Sequence, residues 1–131
     1  MENISQSRYS LTARKRSFVY AWKGIISVIR NQPNFQIQLG VTVIVLICGF
    51  LAGLSAFEWL AVIIMIGSVL SAEVMNSALE YLVDFVSPDY HELAGKVKDI
   101  AAGAVLVTAI AAVIVGLIIF IPKLYFLIFA G

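Results

Sequence analysis

Residues 37–57 read IQLGVTVIVLICGFLAGLSAF, a stretch of 21 residues without one charged side chain. Wound as an α-helix at about 1.5 Å per residue, it reaches about 31 Å, the thickness of a bilayer's hydrocarbon core. Lipid offers no hydrogen bonds, so such a segment satisfies its backbone by being helical. On its N-terminal side, Asn31-Gln32-Pro33-Asn34 breaks the chain, because proline lacks an amide hydrogen and restricts the residue before it. On its C-terminal side, residues 55–58 make a short turn without Lys or Arg, flanked by Phe57 and Trp59, which suit the aromatic belt of a membrane interface. A second helix is expected over 58–86, closed by Ser87-Pro88, and a third over 99–121, ended by Pro122 and Lys123. A polar connection, 87–99, joins them, and an apolar interfacial tail follows from Leu124. Gly49-x-x-x-Gly53 and the ladder Ala104, Thr108, Ala112 and Gly116 offer small faces for helix packing.

The composition points the same way. The chain has 131 residues, enough for one domain, with 61% hydrophobic and only 13% charged residues, where soluble domains carry roughly a quarter. The formal net charge is +1, yet Arg8, Arg14, Lys15, Arg16, Lys23 and Arg30 face a single Glu2 in the first 30 residues. Phe18, Trp22, Ile25 and Ile29 share one stripe of a helix over 15–31, with Arg16, Lys23 and Arg30 on the other side. That is the pattern of a helix lying in the membrane interface, and it marks Trp22 and Lys23 as lipid-surface residues. Cations ahead of a membrane span meet anionic headgroups, so no nucleic-acid partner is expected. Residues 1–14 read as a flexible arm. The positive-inside rule puts the N-terminus and the second connection in the cytoplasm, with Lys123 an exception on the outer side. No signal peptide is evident, and the lone Cys48 reads as a small hydrophobe. The fold class is therefore an all-α membrane protein, three transmembrane helices preceded by an amphipathic interfacial helix.

The second helix carries the chemistry. Measured from Glu73, the positions of Asn76, Glu80 and Asp84 fall at about −60°, −20° and +20°, one stripe about 16 Å long descending toward the cytoplasm. A charge at membrane depth costs roughly 2.5–3.5 kcal/mol on insertion scales, so a counter-ion, a metal or protonation must offset it. No cation lies within the spans; the nearest are Lys96 and Lys98. Carboxylates suit Mg²⁺, which takes one or two of them together with phosphate oxygens. A further carboxylate beside a hydroxyl serves as a general base. Lys98 and Asp99 stand at the same membrane level, where a lysine neutralises phosphate charge. Gly95-Lys96 is no Walker A loop, because Tyr90 stands where its partner glycine belongs.

Glu73-Val-Met-Asn-Ser-Ala-Leu-Glu80-Tyr-Leu-Val-Asp84, followed by Tyr90-His-Glu-Leu-Ala-Gly-Lys-Val-Lys98-Asp99-Ile-Ala-Ala-Gly-Ala-Val105, resembles the bacterial membrane diacylglycerol kinase family, which includes undecaprenol kinases. Ala21-Trp22-Lys23-Gly24 fits that family's surface helix, and the resemblance covers residues 16–122. It implies a homotrimer in the bacterial inner membrane that phosphorylates a lipid alcohol with ATP and Mg²⁺. By resemblance, Glu73 is the general base, Asn76 an active-site amide and Glu80 a metal ligand. The resemblance also assigns Asn76, together with Asp84, Lys98 and Asp99, to the nucleotide. Many members carry a metal-holding glutamate before the first span; here Gln32 stands in that place, keeping an amide oxygen but no charge. Diacylglycerol is the first substrate reading, because the Tyr90-His91-Glu92-Leu93 connection resembles that of diacylglycerol-using members, and undecaprenol the second.

Two other readings compete with a kinase. A small proton-coupled transporter would use Glu73 to bind and release protons, but needs no cation–acid pair at the mouth and leaves the lack of inverted repeats unexplained. A non-catalytic membrane protein leaves the cost of Glu73 unexplained.

Overall fold

The computed structural model describes residues 10–129, so the arm's residues 1–9 lie outside the described part. Four helices follow one another: α1 (Leu11–Asn31), α2 (Pro33–Leu51), α3 (Ala56–Val86) and α4 (Glu92–Phe129). The last three are long and apolar enough to cross a membrane.

α1 begins earlier than the pattern suggested, because the Ser10 hydroxyl accepts from the Ala13 amide and caps it. Residues 11–14, expected in the flexible arm, are therefore helical. Its stripe residues Phe18 and Trp22 are exposed, as a lipid-facing surface requires, and the residue α1 buries is Val28, one position off that stripe. Gln32 is the single residue between α1 and α2, with Pro33 at the first position of α2, where its missing N–H costs nothing. The break is thus tighter than expected, and the first span starts at Pro33 rather than Ile37.

α2 ends at Leu51, six residues earlier than 57, and Gly53 explains the turn by its left-handed backbone (φ +62°). Gly49 has another task. A Cβ there would lie 2.8 Å from Cη2 of Trp59, so the glycine seats the indole, which also meets Phe50 at a ring-centroid distance of 4.8 Å. Gly49 and Gly53 thus act separately, and do not form one helix-packing face. Ser55 and Glu58 close a reciprocal cap at the start of α3: the Ser55 amide donates to Glu58 Oε2 at 2.6 Å, and the Glu58 amide to Ser55 Oγ at 3.4 Å.

α3 and α4 pack as an antiparallel hairpin tied at both ends. Lys98 pairs with Asp84 at the linked end, and Lys123 Nζ lies 3.1 Å from Glu58 Oε2 and 3.3 Å from the Gly53 carbonyl at the other. Lys123, the exception to the charge rule, is thereby bound to a partner on its own side. α4 runs well beyond 99–121 at both ends. Its first turns take up most of the expected connection, leaving 87–91, and it continues through Pro122 to Phe129, so the tail is helical.

Along α4 a line of covered positions runs 94, 98, 101, 105, 108, 112, 115 and 119, alternating steps of four and three, with Gly116 and Phe120 beside it. That is the spacing of two helices supercoiled about each other. The expected ladder moves four at every step, so it drifts off this seam: Thr108 and Ala112 lie on it, while Ala104 is exposed. On α3 the matching seam is Val62, Ile66, Val69, Glu73, Asn76, Glu80 and Val83. Val62, Leu54 and Ile119 form the apolar core near one end, with Ile66 and Val115 against it. Further along, the seam changes from apolar to polar.

Candidate active site in the polar half of the hairpin

Glu73 is 3% exposed, Asn76 4% and Ser77 0%, so the deep part of the stripe is covered within one protomer. Glu80, half-buried, and Asp84, exposed, remain open. The cover comes from two directions. The register of the two terminal ion pairs levels Glu73 with Thr108 and Glu80 with Ala101 on α4, small side chains that leave room for acids. From α2, Phe35 is buried and Gln38 Nε2 donates to Glu73 Oε2 at 3.3 Å. Ser77 Oγ donates to the Glu73 carbonyl at 2.9 Å, a bond back along the helix that satisfies a hydroxyl without water.

Asn76 Nδ2 donates to Glu80 Oε1 at 3.0 Å, which fixes the amide's orientation, since its oxygen cannot face a carboxylate oxygen. Asn76 Oδ1 is then left buried without a hydrogen-bond partner, and so is Gln38 Oε1. Most buried polar atoms are paired, so two orphaned acceptors beside two acids mark a place where a donor or a cation is missing. Among the described residues no group of three His, Cys, Asp or Glu could hold a metal on protein ligands alone. Mg²⁺ does not require one, because it completes its shell with waters and phosphate oxygens. Glu80 with the free Asn76 oxygen fits that cation's preference for oxygen.

The second group sits one to two turns away. Asp84 and Lys98 line a cavity of about 270 Å³ with Ser87, Asp89, His91 and Gly95 around it. His91 Nδ1 accepts from the Leu93 amide and so opens α4. The remaining candidates are not drawn in. Among the described residues no side-chain hydrogen bond or ion pair joins Gln32 or Asp99 to either group. Gln32 makes no side-chain cap; the amide that closes the α1–α2 break is Gln36, whose Nε2 donates to the Ile29 carbonyl at 3.0 Å. Trp22 is 64% exposed on α1, and Lys23 Nζ stands 6.0 Å from the Tyr20 ring. The reading of the sequence missed Gln38 and Ser77. Neither carries a charge, and the bond from Gln38 to Glu73 spans 35 positions, so no local pattern announces it.

Residues 19–120 match the family model of the prokaryotic diacylglycerol kinases. The chain belongs to the prokaryotic diacylglycerol kinase family. Within that family it is 46% identical over 109 residues to the undecaprenol kinase of Bacillus subtilis, covering 83% of this chain and 89% of that protein. It is 43% identical over 109 residues to the diacylglycerol kinase of Synechocystis, covering 82% of this chain and 62% of that protein. Against the diacylglycerol kinase of Escherichia coli K12 the identity is 37% over 98 residues, covering 72% of this chain and 78% of that protein. All of the site's residues from Gln32 to Asp99 fall within the matched region. A lipid kinase also accounts for the acid stripe together with the Asp84–Lys98 pair at its mouth, which a proton-coupled transporter does not need and a passive membrane protein leaves unexplained.

Proposed function

We propose that this chain is an ATP-dependent lipid kinase that moves the γ-phosphate to the hydroxyl of a membrane lipid at the polar half of the α3–α4 hairpin. The observation that carries the reading is Glu73, a carboxylate buried at membrane depth and held by Gln38 beside Asn76 and Glu80. Glu73 takes the hydroxyl proton as the lipid oxygen forms its bond to phosphorus and the bond to the bridging oxygen of ADP breaks. Proton transfer from a positioned side chain contributes typically about 10²–10⁴-fold. Mg²⁺, when bound, neutralises charge on the transferring phosphate. Glu80 and the free oxygen of Asn76 would hold it, with Gln32 a further amide oxygen by the family resemblance. Lys98 exchanges its carboxylate partner Asp84 for phosphate oxygens, and Asp99 borders the nucleotide. Trp22 and Lys23 hold α1 at the lipid surface.

The working form in this reading is a homotrimer in the bacterial inner membrane, N-terminus in the cytoplasm. The family resemblance supports the trimer, and the six cations before the first span support the orientation. The lipid in the first reading is diacylglycerol, giving phosphatidic acid. The second is undecaprenol, giving undecaprenyl phosphate, favoured by the 46% identity to the Bacillus subtilis enzyme. Purified protein given labelled ATP and each lipid in the same mixed micelles decides between them: the substrate has the higher kcat/KM by at least tenfold. Phosphorylation of neither lipid refutes the kinase reading.

A further inference from the structure

We infer that Gln38 is the positioning residue of the general base, a role that rests on the assignment of Glu73 above. Gln38 lies five residues into α2, about 7.5 Å along the helix from Pro33, in a segment free of charge. Gln38 is half-buried and its amide oxygen is covered, and a covered amide among helices is costly unless paired. Its Nε2 donates to Glu73 Oε2 at 3.3 Å, and this is the side-chain hydrogen bond that joins α2 to α3. The opposite orientation of the amide would set an oxygen against a carboxylate oxygen, so the donating one is fixed by chemistry.

The consequence is directional. One carboxylate oxygen of Glu73 is occupied by Gln38, and the backbone carbonyl of the same residue by Ser77. The other carboxylate oxygen, Oε1, stays free to receive the proton of a lipid hydroxyl. Without the amide, the carboxylate turns about its last bond, and the free oxygen is no longer held in line. A reaction between positioned groups loses rate, rather than affinity, when that orientation is relaxed. Gln38 itself contacts neither nucleotide nor transferring phosphate in this account; it acts through Glu73.

The test uses Gln38→Met, which keeps the length of the side chain and removes the donor. In full-length protein purified in mild detergent, Gln38→Met lowers kcat for lipid phosphorylation by about 10-fold, on the scale of one lost hydrogen bond to a charged group. The KM values for lipid and for ATP stay within twofold. Introduced into Glu73→Asp, whose shorter carboxylate no longer reaches the amide, the same substitution causes no further loss in kcat, because both changes remove one interaction. A merely structural glutamine raises KM or lowers thermal stability, and its effect multiplies with that of Glu73→Asp; either result overturns the proposal. Glu73→Gln, assayed beside them, separates the two levels. If it retains activity within threefold of the wild type, the base assignment itself has failed. If it is inactive while Gln38→Met retains full kcat, the failure belongs to Gln38 alone.

Discussion

At the residue scale, the stripe on α3 divides by depth into two kinds of acid. Glu73 is buried and joined to α2; Glu80 is half-buried and joined to Asn76; Asp84 is exposed and paired with Lys98. The deeper acid suits proton transfer away from water, and the shallower one suits a cation that arrives with a nucleotide. Glu80→Ala is therefore expected to raise the Mg²⁺ concentration for half-maximal activity more than it raises the lipid KM. A metal titration with an unchanged midpoint would take Glu80 out of the metal site. Gln32 is open to a sharper test, because its side chain forms no cap to the helix that follows it. Gln32→Glu should tighten the Mg²⁺ dependence by about fivefold, the scale of about 1 kcal/mol for a partly exposed charge. Gln32→Ala should shift it the other way. Identical midpoints for both variants would leave Gln32 without a role at the metal. Glu73, Asn76, Glu80 and Asp84 were legible in the sequence because helical periodicity places them on one stripe. Gln38 was not, because its contact with Glu73 spans 35 positions, and nothing local in α2 encodes it.

At the scale of elements, what the sequence made plain was the number and order of helices; what it blurred was where they end. Apolar length sets the spans, but capping sets the boundaries. Ser10 extends α1, Gly53 ends the α2 turn, and the Ser55–Glu58 reciprocal cap starts α3. Pro122 reads as a stop, yet α4 passes through it, since a proline ends a helix only when neighbours do not hold the turn. Here Lys123, the next residue, is tied to Glu58 and Gly53. The Gly49–Trp59 contact gives this end its shape. Gly49→Val puts a branched side chain where the indole lies 2.8 Å from the Cβ position, and overpacking of this kind costs about 1–3 kcal/mol. Denaturant melts in detergent should show that loss, and Trp59→Leu in the same chain should recover most of it. A Gly49→Val protein as stable as the wild type would mean that the indole has room to move.

At the scale of the whole molecule, the deep part of the stripe, Glu73, Asn76 and Ser77, is covered by the chain itself, while half-buried Glu80, exposed Asp84 and the cavity beside Lys98 are more open. A trimer would enclose the open part. Cross-linking and native mass measurement in mild detergent should give three chains, and activity should fall when the trimer is dissociated. A monomer that keeps full activity would show that the site is complete within one chain. The membrane itself was the most legible feature, because a 21-residue stretch without charge leaves few alternatives. The assembly was the least legible, because an apolar side chain facing lipid and one facing a second copy have the same composition.

Proton transfer from a lipid hydroxyl to Glu73 during phosphoryl transfer is the step on which the proposed function rests. The direct measurement is the rate of label transfer from γ-labelled ATP to diacylglycerol or undecaprenol, for purified wild type and Glu73→Gln side by side, with helicity and melting of both recorded. The amide keeps the shape of the side chain and removes its basicity. The expected result is a labelled lipid with the wild type and at least a ~10²-fold slower rate with folded Glu73→Gln, the lower bound for a lost general base. Transfer by Glu73→Gln within threefold of the wild type would contradict it.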